Sequence, residues 1–501
     1  MSKLTLSMIV KNEERYLRDC LESVKDVVDE IVIVDTGSND NTVKIAEEYG
    51  AFVFHFKWVN DFSAARNFAL SKSNLDWILY LDADERLSRN SVKNLIHLTK
   101  ADKQIGYNCI INNLDDFKDS PKLMKYVRLF RNSKDIRFTG KAHEQIEPSL
   151  INNNYKIVDS NIEIIHYGYN VNEDELKIKA KRNLELLLDE NLTKPTSYLA
   201  FQIANSYSIL EETKNTINYF REALKDKNLR REFKSVCYLH ISDYEMRLNN
   251  LLEAKRIVDK GLQLDRKHVV LNMIASQVYE KLEKKEQAIS YCKKALECNK
   301  KSRVKNISSN VIDIFVSNTK LLTEGILLSL KFNQQKDLQF FLNMFKKENP
   351  EYYNNISKVL FNASFNKSEI NGLIEFISDK NLEVFLKLLK YNNNNEFKLE
   401  FFSITYERFK RVPQYLTNFG TFLLSINQLS EARRIFESEL ELNDYDDAII
   451  FYLVSIYTSL NNLDAISSLI AEAESKAEFN PILQSKLSIL KQKLEPILSF
   501  S

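Results

Sequence analysis

Hydrophobic and polar positions follow two different regimes along this chain. Over the first 90 residues, short apolar runs stop abruptly at polar clusters. Leu4-Thr-Leu-Ser-Met-Ile-Val10 gives way to Lys11-Asn12-Glu13-Glu14, and Ile31-Val-Ile-Val34 gives way to Asp35-Thr-Gly37-Ser-Asn-Asp40. Runs of this length, rich in β-branched residues, predict strands covered on both faces, as in a parallel sheet. Between them, Leu17, Leu21 and Val24 recur at helical spacing, Asp40 is an N-cap candidate for a helix through Tyr49, and Gly50 is its stop. Ala51-Phe-Val-Phe-His-Phe56 restarts the strand pattern. Strand, helix, strand in this rhythm predicts a doubly wound, Rossmann-like α/β domain with its ligands outside the carboxyl ends of the strands.

Trp77-Ile-Leu-Tyr-Leu-Asp82-Ala83-Asp84-Glu85 sharpens that expectation. Residues two apart on a strand share a side, so Asp82 and Asp84 converge where the strand emerges. Paired carboxylates in that place suit Mg2+ or Mn2+ bridging to a substrate phosphate; the alternative is two solvated acids in a turn. Neither a G-x-G-x-x-G fingerprint nor a P-loop is present, so a nucleotide bound here is held by side chains and a metal.

Taken together, Ser7-Met-Ile-Val-Lys-Asn12-Glu13-Glu14, Glu30-Ile-Val-Ile-Val-Asp35-Thr-Gly37-Ser38, Ala64-Ala-Arg66-Asn67 and Leu81-Asp82-Ala83-Asp84-Glu85 resemble family 2 glycosyltransferases of GT-A fold. Gly140-Lys-Ala-His143-Glu144-Gln-Ile146 and Ile164-Ile-His166-Tyr167-Gly168-Tyr169 extend the likeness over the first third of the chain. The resemblance implies that Asp35 accepts hydrogen bonds from the nucleotide base, that Glu13 faces base or ribose, and that Arg66 and Asn67 position the sugar-nucleotide. It implies a cation at Asp84 supported by Asp82, a UDP-sugar donor, an inverting mechanism and hexosyl or N-acetylhexosaminyl transfer, with Glu144 as general base. His143 is expected at the metal or diphosphate. His166 reads equally as a buried core histidine, and Asp115, Asp116 and Asp119 as a solvated loop that is second choice for the base.

Beyond residue 170 the pattern changes. Gly and Pro become scarce and Leu, Lys, Glu, Asn and Ile dominate. Leu176, Ala180, Leu184 and Leu187 predict a connecting helix, broken at Lys194-Pro195. Ile203-Ala204, Tyr207, Thr216, Phe220 and Ala223 then follow the offsets of a tetratricopeptide repeat, a helix pair of ~34 residues. Ile241-Ser242, Ala254, Val258 and Gly261 repeat it, as do Ala275-Ser276, Tyr279, Ala288, Cys292 and Ala295. Phe419-Gly420, Ala432 and Phe436 restart it near the C-terminus, and Tyr452, Ile456 and Ala465 continue it. The expected division is a GT-A domain at 1–170, a connector at 171–194, TPR-like repeats at 195–310, a helical stretch without defined register at 311–410, and further repeats at 411–501.

Charge and cysteine content narrow the classes. Seventy basic against 69 acidic residues leave a net charge of +1, which argues against a nucleic-acid surface. The five cysteines are scattered, with no C-x-x-C pair, so neither a disulfide framework nor a zinc site is expected. No signal-like N-terminus or long apolar stretch appears, so a cytoplasmic protein is expected. An array with a concave surface fused to a transferase points to a protein acceptor, flagellin or another surface protein. The alternatives are transfer to a lipid-linked or envelope glycan, and a non-catalytic adaptor, against which the intact Asp82, Asp84 and Glu144 argue. A nucleotidyltransferase is disfavoured by the missing glycine-rich N-terminal loop.

Overall fold

The computed structural model describes residues 3–101, 103–113, 122–167, 173–227, 229–304, 312–314, 316–361, 367–442, 446–476 and 481–498. The chain forms two compact units, Met1–Leu328 and Ser329–Ser501.

The first unit begins with the elements the hydrophobic pattern predicts, β1 (Leu4–Val10), α1 (Leu17–Val24), β2 (Glu30–Asp35), α2 (Thr42–Glu48) and β3 (Phe52–His55), then a helix the pattern did not predict, α3 (Phe62–Lys72), and the expected β4 (Trp77–Tyr80). Then come β5 (Glu85–Leu87), α4 (Val92–Leu98), β6 (Ile105–Asn113), β7 (Lys122–Arg131), α5 (Glu147–Asn152) and β8 (Lys156–His166). The sheet order is β3-β2-β1-β4-β7-β6-β8-β5. β3, β2, β1 and β4 are mutually parallel, whereas β7 runs antiparallel to both β4 and β6. The sheet is therefore mixed, not wholly parallel as the first three strands alone suggest. Its two faces explain the unbroken apolar runs. Trp77 and Leu79 of β4 enter one core with Leu6, Met8 and Leu21, while Ile78 and Tyr80 enter another with Phe130, Phe138 and Leu150. A strand buried on both sides has no polar face to show.

A long helix, α6 (Glu173–Thr193), follows, then three helix pairs: α7 (Ser197–Ile209) with α8 (Thr213–Ala223), α9 (Arg231–Arg247) with α10 (Leu251–Leu264), and α11 (Val269–Lys281) with α12 (Lys285–Val304). The small residues that defined the repeats sit at the helix crossings, with Ala204, Ala223, Ala254, Ala275, Ala288 and Ala295 all fully buried. Beyond them, Ile312–Ile314 departs from the helical expectation for 311–410. It forms a strand, β9, paired antiparallel with β7. The second unit is helical in all its described residues from 329 onward, apart from connecting turns. There Phe419, Ala432 and Phe436 are buried, and Gly420 lies against the Phe436 ring. No helix among the described residues is long and apolar enough to cross a membrane.

Gly261 tests the repeat packing. A Cβ built there would lie 2.9 Å from Tyr238 Cβ, an atom fixed by its own backbone, and 3.1 Å from a Leu271 methyl. Gly261→Ala gains up to ~1 kcal/mol of helix propensity but overpacks the crossing at a cost of about 1–3 kcal/mol. Net destabilisation is expected in chemical denaturation. A more stable variant would show that the helices part freely and that the small residue is not required.

Candidate functional site

The site is assembled by loops at the carboxyl ends of β1, β2 and β4, as the topology requires. Asn12, at φ +56°, turns the chain after β1. Its backbone N–H donates to Ser38 Oγ (2.9 Å), and its Oδ1 accepts from Asn39 N (2.8 Å). Glu13 N donates to Thr42 Oγ1 (2.7 Å), which stitches the β1 loop to the start of α2. Asp40 supports that junction by accepting from Thr42 N (3.0 Å) and Glu14 N (3.2 Å), so it braces the helix start from one position further out than an N-cap. Asp35, at the end of β2, is buried and accepts from the N–H groups of Gly37 (3.2 Å) and Ser38 (3.0 Å), with His55 Nδ1 at 3.3 Å.

Arg66 is the centre of the arrangement. It is buried on α3, where Asp61 caps the helix by accepting from Ala64 N (3.0 Å). Its Nη2 donates to Asp82 Oδ1 (2.6 Å) and its Nε donates to Glu144 Oε1. One guanidinium thus joins the end of β4 to a loop 60 residues downstream of it. Arg128, from β7, lies beside it. Its Nη2 reaches Glu85 Oε1 at 2.7 Å and Asp82 Oδ2 at 3.6 Å, and both guanidiniums stand over the Tyr80 ring, at 4.5 and 5.2 Å. Burial would raise the Asp82 carboxyl, but Arg66 and Arg128 outweigh it and hold the group well below the usual carboxylate range. For Glu85 burial wins, and its pKa is raised despite Arg128.

Register brings in a residue that spacing alone left ambiguous. β5 pairs antiparallel with β8, setting Glu85 opposite His166. His166 Nε2 therefore stands 3.4 Å from Asp84 Oδ2, and its Nδ1 is 2.7 Å from Asn113 Oδ1. Burial would lower the imidazole's pKa, but the Asp84 carboxylate raises it overall. Arg128 and Glu85 were missed in the sequence because only strand pairing reveals them. The acidic loop of Asp115, Asp116 and Asp119 lies outside the described residues, as do Gly168 and Tyr169.

Glu144 and His143 sit at the tip of a tight loop whose base is the Thr139–Gln145 bridge. Gly140 (φ +102°) and His143 (φ +52°) supply its turns. Asn67 holds this loop down: its Nδ2 donates to Phe138 O (3.0 Å) and its Oδ1 accepts from Phe138 N (2.8 Å), so both ends of its amide are engaged in the fold. Ser63 Oγ adds a bond to Gly140 O (2.6 Å). His143 is exposed, and its carbonyl accepts from Tyr198 Oη (3.4 Å) of α7. The structure thus gathers Arg66, Asp82 and Glu144 into one bonded group, with Asp84 joined to His166, while Asp35 and Asn67 spend their hydrogen bonds on the loops that carry them.

Residues 5–153 match the glycosyl transferase family 2 model, and residues 270–302 match a tetratricopeptide repeat. The chain thus carries a family 2 glycosyltransferase domain followed by tetratricopeptide-type repeats. It is 39% identical over 175 residues to a TPR repeat-containing protein of Synechococcus elongatus, covering 34% of this chain and 43% of that protein. It is 28% identical over 279 residues to the SPbeta prophage-derived glycosyltransferase SunS of Bacillus subtilis, covering 52% of this chain and 62% of that protein. The chain therefore spans roughly half the length of these curated relatives. Among solved structures, TarS of S. aureus in complex with UDP-GlcNAc is similar at 15% identity and TM-score 0.30, covering 49% of this chain and 87% of that one. A tetratricopeptide repeat protein from Parabacteroides merdae is similar at 11% identity and TM-score 0.38, covering 58% and 97%. Both scores are low, and the strand order and register described above are the stronger guide to the fold.

Glu13 gives the site a pH signature. Burial, and then the nearby Asp84 carboxylate, push its carboxyl up to about 7 from an ordinary 4.5. Between these values the folded chain holds a proton that the unfolded chain has released, so this group's contribution to stability falls as pH rises through that window. Glu13→Gln resembles the protonated form. In chelator, its melting temperature should match wild type near pH 4, below the unfolded value, and exceed it increasingly up to pH 8. A difference that stays constant with pH would show that Glu13 titrates normally.

Proposed function

We propose that this chain transfers a sugar from a nucleotide-sugar, a UDP-sugar by preference, to an acceptor nucleophile with inversion at the anomeric carbon. The observation that carries the reading is the Arg66 bridge. It holds Asp82, on the donor side, and Glu144, the proposed base, in one rigid group.

The donor set fits a hard divalent cation. No group of three or more His, Cys, Asp or Glu side chains forms a closed cage among the described residues. Mg2+ and Mn2+, however, often take only one or two protein ligands and complete their shell with substrate phosphates and water. Asp84 and His166, already side by side, are the proposed ligands. Asp82, whose two oxygens face Arg66 and Arg128, supports Asp84 and closes the site toward the ribose. A cation held there neutralises charge on the departing diphosphate.

The remaining steps belong to the chain's own groups. Asp35 and Glu13 line the nucleotide end, and Asp35 keeps the Gly37–Ser38 turn in shape while presenting its buried carboxylate there. His143 stands at the sugar or diphosphate. Glu144 takes the proton from the acceptor as its heteroatom bonds to the anomeric carbon. The bond from that carbon to the phosphate oxygen breaks, and the nucleoside diphosphate leaves with the electron pair. Arg66 orients Glu144. The helical repeats present the acceptor, read here as a polypeptide such as flagellin or another surface protein, in the cytoplasm where nucleotide-sugars are made.

A screen of UDP-, GDP- and dTDP-sugars for nucleoside diphosphate release tests the reading. One UDP-sugar should dominate, chelation should abolish release, and Mn2+ or Mg2+ should restore it. Asp84→Asn should lower turnover at least ~100-fold with little change in melting temperature. Release from no donor, or full activity in chelator, would overturn the proposal.

Glu144→Gln separates base from scaffold. Loss of the base should lower turnover ~10²–10⁴-fold with nucleotide affinity retained. Because the change also strips a charged partner from buried Arg66, a lower melting temperature is expected too. Arg66→Met with Glu144 intact provides the control: it disturbs the bridge but leaves the carboxylate, so its turnover should exceed that of Glu144→Gln. The opposite order would move the base elsewhere.

A further inference from the structure

The connecting helix α6 lies against the site. Lys141 N donates to Glu190 Oε2 (2.7 Å) and Lys141 Nζ pairs with Asp189, so the C-terminal half of α6 is stapled beside His143 and Glu144. Leu184, Leu186 and Leu187 share a buried cluster with Ala142, against which Trp58 and Phe62 pack. Phe62 opens α3, one turn before Arg66. The Arg182 guanidinium stands 5.3 Å from the Phe62 ring and acts electrostatically on His143. Lys179 is one helical turn earlier on the same face. Both side chains are exposed, and both act electrostatically on Glu13. Neither forms an ion pair with a carboxylate among the described residues; Arg182 has only the Asn183 amide oxygen at 3.3 Å.

Charge balance shows what they are for. Among the described residues of the α/β domain, Asp82, Glu85 and Glu144 are paired with Arg66 and Arg128, and Asp84 with His166, and both arginines are buried. An incoming diphosphate would therefore meet carboxylates whose arginine and histidine partners, among the described residues, are already engaged. We propose that Lys179 and Arg182 bind the diphosphate of the donor, so that α6 is part of the donor site and not only a connector. The inference rests on the nucleotide-sugar reading above. Arg182, planar and held over Phe62, offers paired donors to phosphate oxygens, while Lys179 contributes a mobile point charge.

Titration calorimetry of the full chain with UDP and with UMP, at fixed Mn2+, tests it. The double variant Lys179→Ala/Arg182→Ala should lose roughly 10–100-fold in UDP affinity and no more than about threefold in UMP affinity, because charge-assisted bonds to the second phosphate are removed. Both positions are exposed, so the melting temperature should hold. Lys179→Arg/Arg182→Lys, which keeps both charges but moves the planar fork, should bind UDP more tightly than the double alanine variant and less tightly than wild type, a partial rescue that a purely structural role of Arg182 over Phe62 does not require. Equal losses for UDP and UMP would mean that the two cations merely offset Glu13, and unchanged UDP binding would remove them from the site; either overturns the assignment. If the wild-type chain binds neither UDP nor UMP, it is the donor reading that fails, and this inference falls with it.

Discussion

A single buried guanidinium, that of Arg66, decides the geometry of everything around it. Taking such a group out of water costs several kcal/mol, and the cost is met only where its partners are placed well. Here Nη2 of the planar group meets Asp82 and Nε meets Glu144, which lysine, a point charge, could not do with the same directionality. The rest of the local structure serves that placement. Asp61 fixes the start of α3, Asn67 and Ser63 clamp the 138–140 segment, and Gly140 and His143 turn the loop so that Glu144 returns to the guanidinium. Charge and position are thereby coupled: the interaction that keeps Asp82 ionised also sets its distance from Glu144.

The second coupling runs through the sheet. Asp84 lies in the turn that leaves β4, but its imidazole partner is supplied by β8, through the Glu85–His166 register. A one-residue slip of β8 would turn His166 to the opposite face. Asn113, which holds the other ring nitrogen, is the β6 residue paired with His166. Orientation of the ring thus depends on three strands that are distant in sequence, which is how a second-layer residue fixes the nitrogen that faces the site.

What the sequence disclosed follows the range of the interactions. Strands β1 to β4 and helices α1 and α2 were readable because each is encoded locally, by an apolar run or a helical period bounded by Asp, Asn or Gly. The repeats were readable for the same reason: Ala204, Ala254, Ala275 and Gly261 are small because helices cross at them. Arg128 carried no local signal, and Glu85 stood in the Asp82-Ala83-Asp84-Glu85 string without a sign of its partner, since their pairing depends on β7 joining β4 antiparallel, and a reading based on parallel strands does not anticipate it. Asn67 shows the converse. Its position in an Ala-Ala-Arg-Asn string drew attention, yet the structure spends its amide on the Phe138 backbone. β9 is a further case, for Ile312–Ile314 is too short to be told from a helical fragment by periodicity.

The first compact unit extends to Leu328, well past the last strand of the α/β domain proper, and its packing explains why. Leu184 and Leu187 of α6 share one buried cluster with Leu199 and Ile203 of α7 and with Ala142, next to His143 and Glu144. Tyr198 adds its bond to the His143 carbonyl, and Arg230 pairs with Glu147 at 2.9 Å. No apolar seam separates the first repeat from the loop that carries Glu144; they are parts of one core. Because close-packed cores move as units and not as sliding surfaces, the first repeat cannot shift without moving that loop. An acceptor bound on the first repeat, as proposed, would thus be held in a fixed relation to the carboxylate proposed to deprotonate it, and positioning of this kind, not added affinity alone, would shorten the path to a reactive encounter.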